Sequence, residues 1–304
     1  MGSVVKRAKS NFFIYLLILP GLLFLIIFSY IPMLAHVIAF KSFKPALGIL
    51  GSPWVGLDNF RFFFRGSNWL RVTFNTLFLN ALFIGFGLSL AVAVSLALNE
   101  IRRRLYKKLM QSIVFMPYFV SWMVVSFVIF AMFNASEGLM NRFLAGLGRE
   151  AVSWYASPQY WPAILTFTSV WKSAGYNSVI ILAAITGISG EFYESAEIDG
   201  ATRFQQLRLI TLPLIKPTVI ILVLLAIGKI FFGDFGMIYG IVGNNTLLMP
   251  TTDVIDTFSY RSLLQNNNFG MSSAVAFYQS VMGLITILAF NAVIRRVEKG
   301  AELF

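Results

Sequence analysis

Apolar residues along this chain gather into six long runs separated by short polar segments. The runs cover about Phe12–Phe40, Val72–Leu98, Leu109–Phe133, Trp161–Thr186, Leu214–Val242 and Met271–Ile294. A helix needs about 20 mostly apolar residues to cross the hydrocarbon core of a bilayer, and each run supplies them. The pattern therefore predicts an all-α integral membrane protein with six transmembrane helices, read as a single domain over residues 1–304. Several runs exceed the minimum, which permits tilt without fixing an angle. Pro20-Gly21 and Pro32 in the first run and Pro117 in the third remove backbone donors, so bends are expected there.

Lys and Arg orient the runs, because positive charge accumulates on the cytoplasmic side. With the N-terminus inside, the inner segments hold Lys6, Arg7, Lys9, Arg102, Arg103, Arg104, Lys107, Lys108, Arg203, Arg208, Lys216, Arg295, Arg296 and Lys299. The outer segments hold Lys41, Lys44, Arg61, Arg65, Arg71, Arg142, Arg149 and Arg261. Both termini are thus expected in the cytoplasm. The opening Lys6-Arg7-Ala8-Lys9 followed by apolar residues imitates a signal peptide. Its apolar part is too long and lacks a small-x-small cleavage site, so a retained anchor helix is expected.

Composition supports the same class. Hydrophobic residues make up 58% of the 304, charged residues only 12%, and mean hydropathy is +0.76. Soluble domains carry about 25% charged residues. The net charge of +11 lies beside the apolar runs, which points to membrane topology and away from nucleic acid. The chain has no cysteine, so disulfides, thiolate metal sites and cysteine nucleophiles are excluded. His36 stands alone near the outer end of the first run, without a ligand cluster, and is read as an interfacial side chain with no metal role. The outer segment Lys41–Arg71, with Trp54, Trp69 and several Phe residues, suits an interfacial or re-entrant piece that could also touch an external partner protein.

One polar segment stands out. Residues 188–213 fall on the predicted cytoplasmic side between the fourth and fifth runs. Glu191, Glu194 and Glu197 recur every third residue, which favours a short helix. Gly200 permits a sharp break, Arg203–Leu207 can start a second helical turn, and Pro213 is expected to mark entry into the fifth span. Such a helix lying along the membrane would let a partner push on both flanking spans.

The spacing of Glu194-Ser195-Ala196, Gly200, Ile210, Leu212 and Pro213 resembles the EAA loop of ABC-importer permeases, with serine at the usual second alanine. Trp171-Lys172-Ser-Ala-Gly-Tyr-Asn177, Asp199-Gly200-Ala201, Pro250–Thr257 and Phe269–Ala274 are similar to carbohydrate-uptake permeases related to the maltose permease. The resemblance implies a type I importer permease fold in a bacterial inner membrane. It implies a second homologous permease subunit, two cytoplasmic ABC ATPases and an extracytoplasmic sugar-binding protein as partners. Glu194, Ser195, Ala196, Asp199, Gly200, Ile210, Leu212 and Pro213 would then contact the ATPase, with Glu194 the principal polar group. No Walker A pattern occurs, so ATP and Mg are expected in the partner ATPase, with no cofactor bound and no catalysis performed by this chain.

Ionisable side chains inside spans usually face a cavity or a partner. Lys172, Lys229 and Asp234 are such residues. Lys229 and Asp234 are five apart, about 140° around a helix, so they pair only if glycines 228, 233 and 236 distort it; Asp234 could instead pair with Lys172. Lys172 with Tyr176 and Asn177, and Tyr118 with Trp122, are candidate sugar contacts at helical spacing. Two lysines lining the path would suit an acidic oligosaccharide such as an oligouronate. The competing reading is an ion- or proton-coupled secondary transporter using Lys172, Lys229 and Asp234. Six spans without an inverted repeat weigh against it. Motifs of intramembrane hydrolases are absent.

Overall fold

A computed structural model describes residues 12–297 except 67. The charges Lys6, Arg7, Lys9 and Lys299 lie outside the described residues. Among those described the chain is helical, with no strand and a single isolated bridge between Lys41 and Trp54. The long elements are α1 (Phe13–Phe40), α3 (Asn68–Asn99), α7 (Trp161–Thr186), α9 (Arg203–Ile227) and α12 (Phe269–Val297). Shorter helices are α2 (Asp58–Arg65), α4 (Arg104–Phe115), α5 (Trp122–Phe133), α6 (Leu139–Gly146), α8 (Gly190–Ile198), α10 (Phe235–Val242) and α11 (Ile255–Leu264).

Two compact units form within the described residues. The first takes the chain up to Gly66 together with Ser259–Tyr278. In it Phe40 and Phe60 pack on Phe277, the Asn59 amide donates to the Ala39 and Lys41 carbonyls, and the Lys41 ammonium donates to Ile49 and Leu50. His36 lies edge-on to Phe277 in the same cluster and makes a 3.0 Å contact to the Met33 carbonyl. Residues 41–65 thus fold into short turns ending in α2, whose Phe63 is buried while Asp58, Arg61 and Arg65 are exposed.

The second unit runs from α3 to Phe258 and resumes at Gln279. Its core joins α3, α5, α7 and α10 through Leu79, Val125, Ile129, Trp161, Leu165, Met237 and Ile238. A second cluster nearer the other end of α7 holds Ala91, Ile181, Ile185 and Ile215. The α4–α7 crossing is very close: a Cβ on Gly175 would sit 2.0 Å from the Val114 carbonyl oxygen.

The prolines differ in effect. The third run breaks by 93° between Phe119 and Trp122, as Pro117 foretold. Pro20 is carried inside the helix, and a π-turn at Ile26–Tyr30 widens the backbone just ahead of Pro32. Such a turn relieves the clash between a proline ring and the carbonyl four residues earlier. The same device operates at Pro213. The fifth helix begins at Arg203 and passes through Pro213, because a π-turn at Leu207–Thr211 precedes it, so Pro213 lies inside α9 and does not mark its entry.

The fifth apolar run, read as continuous to Val242, is also interrupted. The helix ends at Ile227 and restarts at Phe235. The carbonyls freed at this break are caught by side chains: Asn80 donates to Ile230 and Phe232, and Gln279 donates to Phe231. Asp256 accepts from the Gly233 amide and from Gln279. A buried backbone group without a partner is costly, so these side chains make the break affordable in an apolar setting.

Candidate functional site

Two cavities lie along one face of α7 and share Ser169 and Ser173 in their walls. One, of about 480 Å³, is lined by Tyr118, Phe119, Val120, Ser121, Trp122, Lys172 and Asp234. The other, of about 470 Å³, is lined by Tyr176, Asn177 and Lys229 together with Phe83, Ile84, Leu222 and Leu225. All seven candidate pathway residues therefore border these two spaces. Trp171, adjacent in sequence, turns to an apolar hollow with Phe167 and Val125.

The pairings differ from those that spacing suggested. Tyr118 and Trp122 do not lie four apart on one helix, because the chain breaks between them. Lys172 brings them together. Its ammonium donates to the carbonyls of Tyr118 (2.6 Å), Val120 (2.6 Å) and Pro117 (3.4 Å), and lies 5.5 Å from the Tyr118 ring and 5.1 Å from the Trp122 ring. A cation at carbonyls released from a helix C-terminus is favourable electrostatically.

Asp234 faces Lys172 beyond ion-pair distance and does not pair with Lys229. Its carboxylate accepts from the Met237 amide, capping α10, and from the Trp122 indole. The breaks in the third and fifth runs thus meet at Trp122, Asp234 and Lys172. By contrast, the Lys229 ammonium has no hydrogen bond or ion pair among the described residues. Phe115, Tyr118 and Tyr176 stack nearly parallel, with Tyr118 and Tyr176 centroids 4.6 Å apart at 16°. The ammonium's grip on the break, and the role of Asn80, Gln279 and Asp256, carried no local sequence signal beyond the nearby glycines.

The polar segment 188–213 has the expected helix–break–helix form. Ser189 caps α8, its side chain accepting from Glu191. At the other end Ala201 N–H donates to the Ala196 carbonyl (2.8 Å) and Gly200 N–H to that of Glu197 (3.1 Å). This double closure needs a left-handed residue, and Gly200 supplies φ +79°. Thr202 and Gln205 then form a reciprocal capping box that starts the next helix. Glu194 and Ser195 are exposed on α8 and Ala196 is half-buried. Asp199 closes its C-terminus, and Ile210, Leu212 and Pro213 lie on α9. Phe192 and Ile198 project from α8 into solvent, Ile198 with 87% of its surface exposed. An apolar side chain so exposed on a short helix marks a contact surface more readily than a fold determinant.

Comparisons with known proteins agree with these features. Residues 83–299 match the family described as "Binding-protein-dependent transport system inner membrane component". The chain is 34% identical to Protein LplB of Bacillus subtilis, over 98% of this chain and 93% of that protein. It is 34% identical to the polygalacturonan/rhamnogalacturonan transport system permease protein YteP of the same organism, over 96% and 90%. Among solved structures, it superimposes with a TM-score of 0.89 on a chain of a bacterial ABC transporter involved in the import of the acidic polysaccharide alginate. That match has 32% identity and covers 98% of this chain and 100% of the other. From its apolar runs, the breaks within them and these full-length likenesses, the chain belongs to the binding-protein-dependent transport system inner membrane components.

Proposed function

We propose that this chain is the permease subunit of a binding-protein-dependent sugar ABC importer, forming half of the translocation pathway for an oligosaccharide. The observation that carries this is the full-length likeness to an alginate importer chain, together with the relatedness to a polygalacturonan/rhamnogalacturonan permease. In this reading the apolar runs make six spans of a type I permease domain with both termini in the cytoplasm, and the 188–213 loop faces the ATPase. A second permease subunit, two ATPase subunits that bind ATP and Mg, and an extracytoplasmic sugar-binding protein complete the machine. A related solved structure holds an alginate pentasaccharide-bound periplasmic protein.

The site chemistry is as follows. Closure of the ATPase dimer moves α8, and the spans alternate between outward and inward access. Glu194, with the exposed Phe192 and Ile198, meets the ATPase. On the transport side, sugar hydroxyls meet Ser169, Ser173, Asn177 and the tyrosine hydroxyls along α7, beside the Tyr118–Tyr176 stack. The substrate class is an oligouronate. Lys229 supplies the matching charge, because its ammonium is not committed to any protein group, whereas Lys172 is held by carbonyls. An ion-coupled mechanism is unsupported: Lys172 and Asp234 are engaged at the helix breaks, and the family is one of binding-protein-dependent systems.

The test is reconstitution with the partner permease, ATPases and binding protein in proteoliposomes. Uptake should require internal ATP and be indifferent to ionophores. Lys229→Met should lower apparent affinity for an oligouronate about tenfold or more, the worth of one charge-assisted contact, and leave a neutral oligosaccharide unaffected. Lys172→Met should instead lower thermal stability. Equal uptake of oligouronate by wild type and Lys229→Met would remove the acidic-sugar assignment.

A further inference from the structure

The ATPase-facing helix α8 touches the rest of its unit through few polar contacts, and they lead to α9. Among the described residues, its side chains make two hydrogen-bonded or ionic ties to other elements. Tyr193 hydroxyl meets Thr211 hydroxyl at 2.9 Å, and Glu197 meets Arg203 at 3.4 Å. The ion pair is 54% and 67% exposed, so solvent screens it and it carries little. Thr211 is 4% exposed, and its hydroxyl also lies 3.5 Å from the Gln206 carbonyl.

A cavity of about 180 Å³ lies beside this bond, walled by Tyr193, Thr211, Gln206 and the end of α3 at Leu96, Asn99 and Glu100. Space there means that α8 is not braced by packing against α3. Thr211 closes the π-turn that lets α9 run through Pro213, so the bond ends on that π-turn, two turns into the fifth helix.

We infer that Tyr193 is a positioning residue for energy coupling: its hydroxyl bond to Thr211 carries displacement of α8 into α9. The inference rests on the reading of α8 as the ATPase contact. It adds that the load enters the fifth helix through one part-buried side-chain bond beside the short backbone link Asp199–Thr202, while the fourth follows only through the backbone at Gly187–Ser189.

The experiment uses the complete importer in proteoliposomes and measures uptake and ATP hydrolysis together. Tyr193→Phe should keep assembly and ATP hydrolysis and lower sugar taken up per ATP about fivefold, the effect of losing one hydrogen bond. Thr211→Val should give the same loss, and the double variant no more than either alone. Thr211→Ser, which keeps the hydroxyl, should couple normally. If Tyr193→Phe cannot be assembled, the contrast between Thr211→Val and Thr211→Ser decides. Losses that multiply in the double variant, or Thr211→Ser failing as Thr211→Val does, would overturn the inference. So would normal uptake per ATP in Tyr193→Phe while Glu194→Lys is uncoupled. Normal coupling in Glu194→Lys would instead sink the reading of α8 itself.

Discussion

Replacing Gly175 by alanine tests whether the close α4–α7 crossing sets the geometry of the cavity wall. The new Cβ would lie 2.0 Å from the Val114 carbonyl oxygen, 2.7 Å from its carbon and 3.1 Å from the Phe115 Cα. Ordinary C···O contact begins near ~3.3 Å, so α4 must retreat by about 1.3 Å. The obstacle is backbone, and no rotamer change relieves it. Overpacking of this kind costs about 1–3 kcal/mol. The retreat would also strain the 2.6 Å bonds from Lys172 to the Tyr118 and Val120 carbonyls, since a comparable lengthening takes them beyond hydrogen-bond range. Together these lower the apparent Tm of the detergent-solubilised protein by roughly 5–10 °C, and uptake falls with it. Gly85→Ala is the control: nothing lies within 4 Å of its Cβ, and it sits inside α3, where alanine is about 0.5–1 kcal/mol better than glycine. An unchanged Tm in Gly175→Ala, or a drop of equal size in Gly85→Ala, would refute the reasoning.

Other substitutions probe the loops. Gly200→Ala places a Cβ on a residue at φ +79°, costing about 1–2 kcal/mol locally, although there is open space around it. Its effect should appear as weaker association with the ATPase subunits in co-purification, with the span bundle's thermal transition little altered. Tyr155, in the segment before α7, is half-buried with its hydroxyl enclosed and without a hydrogen-bond partner among the described residues, and burial pushes its phenol up to about 12. The folded state thus holds the proton more tightly than the unfolded chain. The associated stability is complete below pH 10 or so and is lost as pH rises towards 12. Tyr155→Phe should be neutral or slightly stabilising near neutral pH and should extend the alkaline limit of folding, as followed by thermal unfolding across a pH series.

How far the molecule was legible from sequence depends on the range of the interactions involved. The fourth apolar run, Trp161–Thr186, coincides with α7, and the second and sixth agree with α3 and α12 to within a few residues, because hydropathy over about twenty residues is a local property. The break at Pro117 was also legible, since a missing N–H and a ring clash act on adjacent turns. Pro213 misled because a π-turn upstream absorbed its effect. The interruption between Ile227 and Phe235 was hidden by uniform apolarity, with only Gly228 and Gly233 as hints.

Sequence alone thus determined the membrane class, the number of apolar runs, and the helix–break–helix form of residues 188–213. Each follows from neighbouring residues: hydropathy, capping side chains, and a glycine that accepts a left-handed backbone. Only the tertiary structure decided which polar groups are committed and which are free. The Asn80 amide reaches carbonyls 150 residues away, and Lys172 spends its donors on carbonyls more than 50 residues earlier. Those partners exist because two apolar runs break at facing positions, and the breaks in turn persist because distant side chains satisfy them. Such mutual dependence leaves no periodic trace along the chain, so the difference between Lys172 and Lys229 could be seen only in the folded protein.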